Sequence, residues 1–253
     1  MDIYLQGLLW VLGIGIVTGG LTALFHRWTA GEGRVLNNEV VGGVFTIVGG
    51  LHAVLVAFVL ISLFDGASGA HDNAQQEANA LVAASWAADS LPDPARTKIH
   101  ELAHEYAMTV RDKEWPQMRS GQLVVGPGEQ QLAQLHTEIA GAANTDDDWV
   151  KDRKTEASNE LWQVYQSRQQ RLDAAGGGVN AVVWFALIIG GVLSIAVAFL
   201  FAGARGAGHI VVMGILAATI TLVLFAIFQM QDPFTGGANV GPDAFDSALA
   251  RLG

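Results

Sequence analysis

Four long stretches of this chain carry no charged side chain: residues 3–25, 40–64, 179–204 and 206–231. Each exceeds the roughly 18 apolar residues that mark a membrane span. A helix rises about 1.5 Å per residue, so even the shortest run outreaches a hydrocarbon core of about 30 Å. Lipid offers the backbone no hydrogen-bond partner, so such runs must be helices that satisfy their own peptide groups. The sequence therefore specifies a multi-pass protein of the cell membrane, with the lipid bilayer as its first partner. The first run follows Met1-Asp2 and is too long for the apolar core of a secretory leader, so it reads as a retained span.

The charge is concentrated between the second and third runs. Residues 65–178 hold 18 acids against 10 bases, a net of −8 within a chain total of −10. No basic face is present for nucleic acid. Cysteine is absent, which excludes disulfides, thiol catalysis and cysteine-held metal. No cofactor is expected. The two short loops carry Arg27, Arg34 and Arg205, while the N-terminus has no Lys or Arg and the tail only Arg251. Positive charge stays inside, so this bias places the 65–178 domain outside the cytoplasm; Arg168 and Arg171, near the third span, pull the other way.

Between the spans the periodicity is helical. Residues 73–90 are rich in Ala, Gln and Glu and contain no proline, so the second span continues past Gly66 and Gly69. Pro92-Asp93-Pro94 breaks the chain. Residues 95–114 place Ile99, Leu102, Tyr106 and Val110 on one face, and Trp115-Pro116 is expected to end that helix. Residues 117–128 read as a loop. Residues 129–143 form a shorter helix through Leu132, Leu135 and Ile139. Asp146-Asp147-Asp148 starts a helix that runs to Ala175, with Ala157, Leu161, Val164, Tyr165, Arg168 and Leu172 along one stripe. The expected fold is an all-α membrane protein, four transmembrane helices with a helical bundle inserted between the second and third. Its parts are 1–64 (two spans), 65–178 (the acidic soluble domain), 179–231 (two spans) and 232–253 (a tail).

Rows of small residues run along the spans: Gly15 and Gly19; Gly49, Ala53 and Ala57; Gly190, Ser194, Ala198 and Ala202; Gly214 and Ala218. Such rows let helix backbones approach in lipid and suit a homo-oligomer.

Three groups of residues could carry chemistry. His100-Glu101-Leu102-Ala103-His104 matches H-E-x-x-H, in which two imidazoles one turn apart chelate zinc and the glutamate serves as general base. Val110 stands where an extended motif has its third histidine, and Glu129, Glu138, Glu156 and Glu160 are only generic candidates for a third ligand. Catalysis is not expected, and His100 and His104 remain candidate metal ligands against the plainer reading of two solvated histidines. His52 lies mid-span, where an ionisable group faces the protein interior or a water path, and is a candidate for pore lining or pH sensing. Asp65 and Asp232 close the second and fourth spans and could ring a pore mouth, or simply be the first solvated residues.

Three segments carry a resemblance. FTIVGGLHAVLVAF at 45–58, Glu114-Trp115-Pro116-Gln117-Met118, and Asp232-Pro233-Phe234-Thr235-Gly236 followed by Val240 to Phe245 occur in an order and spacing that resembles the bacterial bestrophin-like domain family. The resemblance covers nearly the whole chain. It implies an oligomeric anion channel with its pore on the second span and its large linker in the cytoplasm. It also implies an aromatic residue where His52 stands, and basic residues at the positions of His100 and His104. The acidic linker points instead to cations. Two functions follow as expectations: an oligomeric ion channel, or a non-conducting scaffold or sensor whose acidic domain binds a partner or cation.

Overall fold

The computed structural model describes residues 3–28, 38–124, 126–143, 146–200, 207–237 and 239–253. Nine α-helices are described: α1 Ile3–Trp28, α2 Asn38–Ala87, α3 Ala95–Thr109, α4 Trp115–Arg119, α5 Gly128–Gly141, α6 Asp148–Ala175, α7 Ala181–Phe199, α8 Ala207–Met230 and α9 Asp243–Leu252. No strand occurs among the described residues. Four helices, α1, α2, α7 and α8, are long and apolar enough to cross a membrane. The loops bearing Arg34 and Arg205, and the side chain of Arg27, lie outside the described residues.

The chain divides into two units, 1–64 with 178–231, and 65–177 with 232–253. Helix α2 contributes to both. In the first unit the glycine rows act where two backbones meet. A β-carbon on Gly15 would lie 3.3 Å from the Gly214 carbonyl oxygen and 3.5 Å from Ala218 Cβ, and one on Gly19 would touch Ile210. Gly7 gives way to the Phe225 ring in the same α1–α8 pair. Ser194 and Ala198 of α7 are buried, and Ser194 donates to the Gly190 carbonyl at 2.8 Å. Ala202 lies outside the described residues. The row Gly49–Ala53–Ala57 behaves differently: Gly49 meets nothing, and Ala53 and Ala57 are exposed.

In the second unit, Ala70, Ala74, Ala78 and Leu81 make a slim face on α2 against which Ile99, Leu102 and Tyr106 of α3 and Leu161 and Val164 of α6 are buried. Asp147 caps α6 by accepting from the Trp149 backbone N–H at 2.9 Å. Contrary to the sequence expectation, Trp115-Pro116 does not end the third helix. A π turn over Val110–Glu114 carries the helix into α4, where Pro116 occupies the first turn. The missing proline N–H costs nothing there, because first-turn amides have no partner inside the helix. The tail also holds an unanticipated helix, α9, whose Ala244, Phe245 and Ala248 are buried.

Candidate functional site

Helix α2 has two unlike faces within its span. Phe45, Val48, His52, Leu55, Val56, Val59 and Leu63 are half-buried and recur every three or four residues. On the opposite side Gly43, Ile47, Gly50, Val54, Ala57 and Ile61 are exposed, with alternating steps of four and three. No residue of the most apolar 18-residue stretch of α2 is buried by this chain. The open face therefore alternates small and branched apolar groups, as a helix seam does when it meets other helices.

His52 stands on the half-buried face, about 200° round the helix from Gly50 and Val54. Its ring sits against α7. A β-carbon on Gly190 would stand 3.3 Å from both Cγ and Cε1 of His52 and closer still to Nδ1, whereas one on Gly191 would lie 3.8 Å from Nε2. Nδ1 is buried and has no hydrogen-bond partner. Asp65 is exposed on α2. Asp232 is committed to its own turn, its Oδ1 accepting from the N–H groups of Phe234 at 2.8 Å and Thr235 at 3.2 Å.

The H-E-x-x-H histidines do not work as a pair. His100 places Nδ1 2.8 Å from the hydroxyl of buried Ser85 and Nε2 2.7 Å from Asp89, so both ring nitrogens are engaged. His104 is half-buried beside Glu101, Glu105 and Met108 in an open groove. Among the described residues, no three His, Asp or Glu side chains converge on a point that could hold a metal.

The strongest electrostatic feature lies in the soluble unit. Arg171 donates to Glu77 from Nε at 2.6 Å and to Glu114 from Nη2 at 2.9 Å; Arg168 donates to Glu114 at 2.6 Å. The Tyr106 hydroxyl completes Glu77 at 2.6 Å. Glu77, Glu114, Arg168 and Arg171 are all buried. Burial alone would raise the Glu114 carboxyl, but the Arg168 hydrogen bond and the charges of Arg171 and Arg168 outweigh it and hold the group below its ordinary range. Burial first, then the Glu77 charge, push the Tyr106 hydroxyl well above its ordinary value. The cluster is a neutral, interlocked knot that joins α2, α3, the π turn and α6. Sequence reading placed Arg168 on the α6 stripe but missed the knot. The available signal was two arginines, three apart, continuing a buried apolar stripe.

The tail closes over this knot. Trp115 donates from Nε1 to the Val240 carbonyl at 3.1 Å, meets Phe234 edge-on at 5.5 Å between ring centroids, and shares the Arg171 guanidinium with Phe245.

Compared with known proteins, the sequence matches the bestrophin-like domain over residues 12–245. The chain belongs to the bestrophin-like domain family. Its fold is that of a bacterial bestrophin homolog from Klebsiella pneumoniae. Against crystal structures of two point mutants of that protein the TM-scores are 0.71 and 0.72 and the identities 15% and 14%; 96% of this chain and 97% of each of those chains are covered. No curated protein matches it in sequence. In this bestrophin-like protein two of the segments that carried the resemblance meet physically, since Trp115 of the Glu-Trp-Pro segment packs on Phe234 of the Asp-Pro-Phe segment. The third lies within the span of α2.

Proposed function

We propose that this bestrophin-like protein is a homo-oligomeric ion channel in which copies of α2 surround the conduction path. The observation that carries this reading is the open face of α2. Gly43, Ile47, Gly50, Val54, Ala57 and Ile61 form a continuous seam that the chain itself leaves uncovered, while Gly7, Gly15 and Gly19 of α1 and Gly214 of α8 each face the other helix of that pair. Seven-residue spacing of Gly43, Gly50 and Ala57 permits close helix approach, and Ile47, Val54 and Ile61 between them make an apolar constriction of the kind that gates by dewetting. His52 then faces away from the path, toward α7. The net −8 of residues 65–178 favours cations near the soluble unit, in contrast to the anion selectivity that the family resemblance implies. The charge bias of the short loops favours a soluble unit outside the cytoplasm.

Reconstitution of the full chain into liposomes tests the reading. Ion flux is expected, with Val54→Cys blocked by a thiol reagent that leaves the cysteine-free parent untouched. Reversal potentials under a salt gradient give the sign of the permeant ion. Flux that persists unchanged after labelling removes α2 as the lining helix. No flux under any ionic condition removes the channel and leaves the scaffold reading.

A further inference from the structure

The contact between His52 and the Gly190–Gly191 pair points to a regulatory device, which deepens the channel reading. The ring fits only because residue 190 has no side chain: a β-carbon there would overlap it. The most apolar stretch of α2 has no buried residue, and this notch is where its His52 meets α7. Within the notch Nδ1 is shielded and unpaired. The Gly190 carbonyl receives the Ser194 hydroxyl.

The notch suits a neutral ring. A second ring proton would put a full charge among apolar groups. Helix α7 has no ionisable side chain between Ala181 and Phe199, and on α8 the sole histidine is His209, at the helix start. On α2 itself the flanking acids are Glu39 and Asp65, each 13 residues and so about 20 Å away along the helix. None can neutralise an imidazolium in place, and an uncompensated charge at membrane depth moves toward water or a partner.

We infer that His52 is a proton-operated wedge. Its neutral ring seats α2 against α7, and protonation drives it out of the glycine notch, releasing α2 and changing conduction. An ordinary histidine titrates near pH 6.5, so the range from about 7.5 to about 5.5 brackets the event. One linked proton per subunit limits the shift in a two-state equilibrium to about 100-fold over two pH units.

The test has two readouts on the full chain in liposomes. The first is flux at both pH values, where the parent is expected to differ about tenfold, within that limit. The second needs no conduction: a thiol introduced by Leu55→Cys, one turn from His52 on the same face, is expected to label faster at low pH. His52→Gln in the same background corrects for the reagent's own pH dependence. His52→Gln should flatten both readouts. Gly190→Ala, which fills the notch, should give the low-pH behaviour at both pH values. Gly191→Ala is the folding control: its β-carbon presses mainly on Ile220 of α8, at 2.9 Å, and only grazes the ring at 3.8 Å, so it should keep the pH response. A pH-independent parent, a response that survives His52→Gln, or a Gly190→Ala protein that behaves as the parent does would each overturn the wedge. Labelling that shifts without any flux keeps the wedge and removes the channel.

Discussion

Arg171 meets Glu77 through two parallel hydrogen bonds, Nε to Oε2 at 2.6 Å and Nη2 to Oε1 at 3.0 Å, with both side chains fully excluded from solvent. Such a pair contributes little over an apolar replacement, yet removing one partner strands the other charge in the interior. Glu77→Gln should therefore destabilise the soluble unit by about 3–5 kcal/mol, read as a lower denaturation midpoint in detergent. Tyr106→Phe, which removes one neutral donor from the same carboxylate, should cost about 1–2 kcal/mol. Equal losses in the two variants would mean that Glu77 is held by its hydroxyl partner and not by Arg171.

Glu114 makes stability depend on acid. Its carboxyl is held below the ordinary 4.5, so its contribution is fully present above that value and disappears as pH falls through the depressed one. The melting temperature should be insensitive to this group from neutral pH to about 5 and fall steeply below about 4. Glu114→Gln should melt lower at neutral pH and show a shallower acid limb. Tyr106, displaced upward, adds a second edge: its contribution holds below 10 and is lost as pH rises toward its raised value.

Gly128 is required by what lies beside it. A β-carbon there would overlap Glu114 Oε1 and stand 3.1 and 3.2 Å from the Arg168 guanidinium nitrogens, whereas one at Gly126 would be 4.0 Å from the same carboxylate oxygen. Gly128→Ala should cost about 1–3 kcal/mol, the usual range for overpacking, and Gly126→Ala close to nothing. Chemical denaturation of the two variants side by side checks the contrast.

The tail should be held chiefly by Trp115. Trp115→Phe keeps an aromatic ring but loses the donor to the Val240 carbonyl, a cost of about 1 kcal/mol. Trp115→Ala also opens the cavity under Phe234 and Phe245 and should cost about 3–5 kcal/mol. Limited proteolysis near Gly236 should be slow in the parent, faster in the first variant and fastest in the second. Identical cleavage in all three would mean that the tail is anchored elsewhere, for example through Arg111 and Asp246.

Orientation is open to direct labelling because the chain has no cysteine. With the soluble unit outside the cytoplasm, Gln130→Cys should react with membrane-impermeant reagent in whole cells and Gly33→Cys should not. The reverse pattern would put the soluble unit in the cytoplasm, where the family resemblance expects the linker.

The four spans were legible because nothing but lipid explains charge-free runs of such length. The α6 stripe was legible through its spacing, even to the position of Arg168. The knot was not, because arginine and glutamate on an amphipathic helix ordinarily mean a solvated face, and only tertiary packing shows that Glu77, Arg168 and Arg171 point inward. Helix α9 was missed although Phe245, Ala248, Leu249 and Leu252 keep helical spacing, since ten residues after a Pro-Gly segment make a weak signal. His52 was singled out for its depth, but the notch depends on Gly190, 138 positions away, which no local pattern links to it.

The π turn at Val110–Glu114 has an evolutionary consequence. A π turn is an α-helix with one residue too many, and it persists only where the surplus residue earns its place in the larger structure. Deleting Lys113 would leave a more regular helix by every local criterion, while turning Glu114 and Trp115 by about 100° relative to the residues before them. Removing a residue from this helix would therefore disturb the knot as surely as replacing one of its members. Here local and global preferences disagree, and the global one prevails. Among relatives, single-residue gaps within this helix should coincide with loss of both arginines on α6, and a relative with the gap but an intact Arg168–Arg171 pair would need another carboxylate to meet them.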